Sequence, residues 1–240
     1  MAGREERFAA AAAALVAEAA RFAGLGWMRA TSGNLSVVLG REPLRLAVTG
    51  SGGDKGDLTA RDIVEVDGAG RPVAAVSDTA GGSGGSDGAG GADVSGAAGG
   101  RGAPARAARA VDVVAGVRPS AEAALHARLA AATGAGAVVH LHTLACVRAA
   151  ARHPGGVTLA GLEMLKALGR PADGAPTRLP VVPNSQDMTM LGDAALAALE
   201  PGVPALLVAG HGLYAWGDDL RGARRHAEAV DWLCALVTGA

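Results

Sequence analysis

Two histidines one residue apart, His140 and His142, close the apolar run VVHLHTLACV at residues 138–147. An extended chain sends residues i and i+2 to one face, with Cα atoms roughly 6.5–7 Å apart. The two imidazoles therefore converge on one point while Leu141 turns into the core. Such a pair suits a divalent metal, but it reads equally well as two hydrogen-bonded strand histidines, because a zinc centre needs three or four ligands. The best third ligand is His211 in VAGHGLYAWG, held between Gly210 and Gly212. Flanking glycines let the backbone turn tightly and come close to a neighbour. Three neutral imidazoles leaving one position open are what a catalytic zinc site requires. His126, His153 and His226 have weaker claims, and Cys146, four residues beyond His142, reads better as a small buried apolar residue, as does Cys234.

Two carboxylates could work beside such a metal. Glu122 falls in the first turn of an expected helix, where the helix dipole by itself favours negative charge. Glu163 interrupts the apolar series Leu159, Leu162, Met164 and Leu165 and can pair with Lys166 at i+3. Either could be a general acid or base, and spacing does not choose between them. The turns TSGN (31–34) and TGSGGDKG (49–56) supply hydroxyls, backbone N–H groups and Lys55, the equipment of a phosphate-binding loop. By themselves they show only tight turns. Ser120 opens a helix and adds to the anion reading.

The elements that must hold these residues can be read from the periodicity. An alanine-rich N-terminus with Phe8, Leu15 and Phe22 at seven-residue spacing, bracketed by Glu5, Glu6 and Glu18, predicts an amphipathic helix, not a signal peptide. Strands are expected at 35–39, 44–48 and 63–66, then at 137–141, 179–182, 205–209 and 213–216, the last two as a hairpin around His211. Helices are expected at 119–132 with Ser120 as N-cap, and at 143–153, 159–168, 187–200 and 218–237. Strands followed by alternating helices and strands imply an α/β sandwich with a largely antiparallel sheet. Between them, a Gly, Ala, Ser and Asp-rich stretch at about 78–110 cannot bury enough apolar surface to offset its chain entropy, and is expected to be a disordered insertion within a single domain spanning 1–240.

Composition narrows the function classes. Lys plus Arg total 22 against 23 acidic residues, for a net charge of −1, with no basic run interleaved with aromatics, so nucleic acid is an unexpected partner. No uninterrupted apolar stretch reaches the roughly 18 residues of a membrane span, and the two cysteines form no disulfide framework. A cytoplasmic protein with no membrane partner is expected.

Taken together, ATSGNLS, SGGDKG, RPSAE, HLHT, GLEMLKAL, NSQD and GHGLYAWG stand in the order seen in class II aldolase/adducin proteins, and the chain most resembles the methylthioribulose-1-phosphate dehydratases of methionine salvage. The HxH with a later HG marks the superfamily. The DKG turn, the Glu163-Met164 pair and GHGLYAWG with its following RRH favour the dehydratase branch. The resemblance implies a three-layer α/β/α sandwich, one zinc per subunit bound by His140, His142 and His211, a phosphorylated ketose substrate, and a homo-oligomer, usually a tetramer with active sites near subunit interfaces. It implies Glu163 as the catalytic acid/base, and Glu122 at the place of the catalytic glutamate of the sugar-phosphate aldolases. Asn34, Ser51, Gly52, Lys55 and Ser120 would lie around the phosphate. Where the family's turn reads SGKDKG, this chain has Gly53 in place of a lysine. A zinc-dependent aldolase or epimerase of the fuculose, rhamnulose or ribulose phosphate type, and a noncatalytic adducin-like interaction module, are the alternatives.

Overall fold

The computed structural model describes residues 3–73 and 116–239, so the insertion expected at about 78–110 lies outside the described residues. Helix α1 (Arg4–Gly24) buries Phe8, Leu15 and Phe22, as their spacing predicts. It leads into the antiparallel strands β1 (Asn34–Arg41), β2 (Leu44–Thr49) and β3 (Ile63–Asp67). Beyond the undescribed stretch come α2 (Ala123–Thr133), β4 (Ala137–Leu141), α3 (Leu144–Arg152), β5 (Val157–Leu159), β6 (Thr177–Leu179) and β7 (Val181–Val182). The chain ends with α4 (Met188–Ala197), β8 (Ala205–Val208), β9 (Gly212–Gly217) and α5 (Leu220–Thr238).

Seven strands form one sheet in the order β3-β2-β1-β4-β9-β8-β7, antiparallel throughout except for the β7–β8 pair. Side chains alternate between its two faces, and each face carries its own core. In β4, Val139 and Leu141 join Phe22 of α1, Cys146 of α3 and Leu233 of α5 on one side. Val138 joins Leu125 and Leu129 of α2 and Leu191 of α4 on the other. Helices on both faces of a mostly antiparallel sheet give the expected three layers. Each fully buried leucine in these cores contributes roughly 1.5–3 kcal/mol relative to exposure. Cys146 and Cys234 are buried, unpaired core residues.

Three elements differ from expectation, each for a local reason. The segment expected to be a helix at 159–168 closes β5 at Leu159, turns through Gly161 at φ +70°, and runs as a 3-10 turn over Glu163–Leu168. Leu162, Leu165 and Leu168 recur every three residues, which matches the 3-10 repeat. The strand expected at 179–182 is split at Pro180, which has no N–H for a ladder. Its carbonyl still accepts from Leu207 N–H at 2.8 Å. The helix expected from residue 119 begins only at Ala123, because the preceding residues pair with the end of β2: Ser51 N–H donates to the Arg118 carbonyl and Ser120 N–H to the Thr49 carbonyl. Glu122, not Ser120, is the residue at the N-cap, and the Ser120 hydroxyl accepts from Glu122 N–H at 3.3 Å within the turn before it. No described helix is long and apolar enough to cross a membrane.

Candidate metal centre and its cavity

The register of the sheet brings the three histidines together. His140 is next to last in β4, His142 follows the strand, and His211 sits in the β8–β9 hairpin, whose Leu213 pairs with Leu141. Both flanking glycines are required. Gly210 holds φ +66°, and a Cβ at Gly212 would run into the Leu141 carbonyl oxygen. The hairpin can therefore close onto the end of β4 only with glycine there.

One ring nitrogen from each of His140, His142 and His211 lies within 4.8 Å of the others. His140 Nε2 is 2.8 Å from His142 Nε2 and 3.2 Å from His211 Nε2. His140 Nδ1 lies 2.9 Å from the Leu213 carbonyl oxygen, and His211 Nδ1 lies 3.3 Å from Asn184 Oδ1. Oxygens of that kind only accept, so both Nδ1 atoms carry the hydrogen and both Nε2 atoms present lone pairs. Burial pushes the His140 pKa down to about 3 against the pull of Glu122, so this imidazole is neutral at pH 7. Two facing lone pairs repel unless a cation lies between them. The donor set therefore fits a divalent metal.

Glu122 completes the arrangement. Its Oε2 lies 3.3 Å from His140 Nε2 and its Oε1 3.4 Å from His211 Nε2. Burial would raise its pKa, but His140, the Asn34 amide and His211 outweigh it and hold the carboxyl at about 2. Behind it, the Tyr214 ring stacks on His140 with centroids 4.1 Å apart, and burial followed by the Glu122 charge pushes the Tyr214 hydroxyl well above its usual range. His126, one helical turn after Glu122, is wholly buried, its Nδ1 2.8 Å from Ser36 Oγ.

A cavity of about 300 Å³ opens over the cluster, with His142, His211 and Glu122 in its wall and Ser51, Gly52 and Ser120 beside them. The structure thus brings together the expected metal ligands, Glu122 and the expected anion loops. Two of those residues are committed within the wall. Asn34 Nδ2 donates to Glu122 Oε2 at 2.6 Å, and the buried Lys55 Nζ donates to the carbonyls of Thr31 at 3.0 Å and Gly53 at 2.9 Å. Lys55 ties the two turns together and keeps a third N–H to spend. It also steadies Thr31, a β-branched residue at φ +66° where such residues are strained. Glu163 lies elsewhere: its side chain is 79% exposed, pairs with Lys166 at 2.7 Å, and is not among the described residues lining the cavity. His226, a weaker ligand candidate in the sequence, is half-buried with Nδ1 2.6 Å from the Trp216 carbonyl oxygen. Asn184 and Tyr214 were readable in the sequence only as parts of NSQD and GHGLYAWG; the register that sets Tyr214 opposite His140 was not.

Residues 13–238 match the model of the class II aldolase and adducin N-terminal domain. The chain belongs to that family. Among its relatives, the methylthioribulose-1-phosphate dehydratase of Sorangium cellulosum is 37% identical over 241 residues, covering 97% of this chain and 94% of the relative. The enzyme of the same name from Sulfurihydrogenibium sp. is 34% identical over 214 residues, covering 88% and 81%. The family's fold is also that of solved structures: the L-fuculose-1-phosphate aldolase of Thermus thermophilus superposes with a TM-score of 0.63 at 20% identity, over 95% of this chain and 94% of that one.

Proposed function

We propose that the protein dehydrates 5-methylthioribulose 1-phosphate to 2,3-diketo-5-methylthiopentyl 1-phosphate, a step of methionine salvage, with one zinc ion per subunit held by His140, His142 and His211. The observation that carries this reading is the convergence of three imidazole nitrogens and an ionised glutamate on one point, in a cavity whose wall also holds Ser51, Gly52 and Ser120. The relatives named for this reaction, over nearly the whole chain, supply the substrate.

When bound, zinc supplies Lewis-acid stabilisation of negative charge that develops on oxygen as a neighbouring carbon loses its proton. The chain's residues supply the rest. Ser51, Gly52, Ser120 and the remaining N–H of Lys55 hold the phosphate, and Asn34 aims the Glu122 carboxylate. Glu122 takes the C3 proton. Glu163 gives a proton to the departing C4 hydroxyl, leaving an enol that tautomerises to the diketone. Since Glu163 lies outside the described wall of its own cavity, this reading has it delivered by a neighbouring copy in a homo-oligomer, a tetramer by family resemblance.

One observation favours a second reading. Glu122 touches the histidine cluster at the place that, by resemblance, holds the catalytic glutamate of the sugar-phosphate aldolases. Product analysis separates the two. Dehydration yields a product lighter by one water from 5-methylthioribulose 1-phosphate, whereas an aldolase releases dihydroxyacetone phosphate from fuculose or rhamnulose 1-phosphate and leaves the methylthio sugar intact. A noncatalytic module would do neither and would have no use for an open metal position.

A further inference from the structure

The strand order sets out the wall of the cavity as a sequence of chemistries. The sheet runs β2-β1-β4-β9-β8-β7, and the strand ends on one side of it contribute most of the wall, with Ser120–Glu122 added from the segment before α2. Gly50–Gly52 follow β2, and Thr31–Gly33 precede β1, whose first residue is Asn34. His142 follows β4 and His211 lies between β8 and β9. Ser185, Gln186 and Met188 follow β7. Anion loops thus lie at one end, the imidazoles in the middle, and the segment after β7 at the far end. Among the described residues of the wall, Met188 is the one large apolar side chain.

The proposed substrate has the same order of chemistries along its carbon chain: a phosphate on C1, oxygens on C2 and C3, and an apolar thioether on C5. We infer that Met188 receives the C5 methylthio group and sets the enzyme's preference for it, an inference that rests on the function proposed above. A phosphate at the β2–β1 end and C2–C3 oxygens at the imidazoles leave C5 directed to the β7 end. The unbranched, polarisable side chain of methionine adapts its shape to another thioether. Met188 is half-buried, and its other side packs on the core formed with Leu191. Two further apolar candidates are poorly placed to receive the group. Met190 is 64% exposed, and Trp216 is buried in the core at the far end of β9.

The test compares kcat/KM for 5-methylthioribulose 1-phosphate with that for 5-deoxyribulose 1-phosphate, which lacks the methylthio group. The expected wild-type preference for the former is tenfold or more, within the roughly 10–200-fold that one small apolar group supports. Met188→Gln should cut this preference about tenfold. Met188→Leu, which keeps an apolar surface, and Met190→Gln, two residues along on the solvent side, should retain it. A purely structural role would lower both substrates in proportion, and an unchanged ratio in Met188→Gln overturns the inference while leaving the proposed function standing. A wild-type protein that dehydrates neither sugar overturns both.

Discussion

Asn34 Nδ2 donates to Glu122 Oε2 at 2.6 Å, and that same oxygen lies 3.3 Å from His140 Nε2. One amide thereby fixes which way the carboxylate faces the histidine cluster. A hydrogen bond to a charged group is worth about 1.5–3 kcal/mol. Asn34→Leu should therefore lower kcat by roughly 10–100-fold while zinc content, measured by atomic emission, stays at the wild-type level. Loss of zinc in this variant would place Asn34 in metal retention instead.

Asn184 orients His211 through Nδ1, 3.3 Å from its amide oxygen. Partners of this kind fix the tautomer that turns the other nitrogen toward the metal, and removing one typically costs 10–100-fold in affinity. Asn184→Leu should weaken zinc binding by about that factor in a competition titration with a chelating dye, with Asn184→Asp recovering part of it. Equal affinities in wild type and Asn184→Leu would show that the hairpin backbone alone positions the ring.

The two glutamates make separable predictions. Glu122→Gln and Glu163→Gln should each lower turnover by about 10²–10⁴ with zinc retained. If Glu163 is delivered by a neighbouring copy, mixed oligomers co-expressed from the two inactive variants should regain activity, because some sites then combine an intact Glu122 with an intact Glu163. Mixed oligomers as inactive as either parent would confine both residues to one chain's site, and a fully active Glu163→Gln would remove Glu163 from the reaction.

Burial holds the His126 pKa at about 4, below the 6.5 of an exposed histidine. Between pH 6.5 and 4.5 the unfolded chain binds a proton at this position that the folded chain refuses, so stability falls as the pH falls through that window. The loss amounts to roughly 2–3 kcal/mol at the lower end. His140, held at about 3, adds in the same sense in zinc-free protein, whereas Glu122, held at about 2, acts only below pH 4.5. Urea unfolding of the zinc-free protein at pH 7 and pH 5 should show the decline, and His126→Gln should make it shallower. An identical decline in both proteins would contradict this assignment.

Much of the fold was legible because period-2 and heptad patterns survive burial intact. Phe8, Leu15 and Phe22 gave α1, and His140 and His142 share a face as their spacing required. The pattern failed where tertiary pairing overrode it. Residues 119 and 120 left the expected helix, their segment pairing with residues 49–51 instead, and the 159–168 segment used a three-residue repeat that resembles a helix in a short window. For the site, residue type and spacing could nominate His140, His142 and His211. They could not show that Asn34 would serve Glu122, that Lys55 would tie two turns together, or that Glu163 would face solvent. Those are facts of chain packing, for which one sequence carries no periodic signal.

If the three converged imidazoles hold a catalytic zinc, dehydration depends on the metal. The measurement is turnover of 5-methylthioribulose 1-phosphate, followed by mass spectrometry, with protein stripped by a chelator and then reloaded with zinc. The stripped protein should give no product and the reloaded protein a product lighter by one water. Undiminished turnover after stripping, or intact substrate with the reloaded protein while fuculose or rhamnulose 1-phosphate is cleaved to dihydroxyacetone phosphate, would rule out a metal-dependent dehydratase.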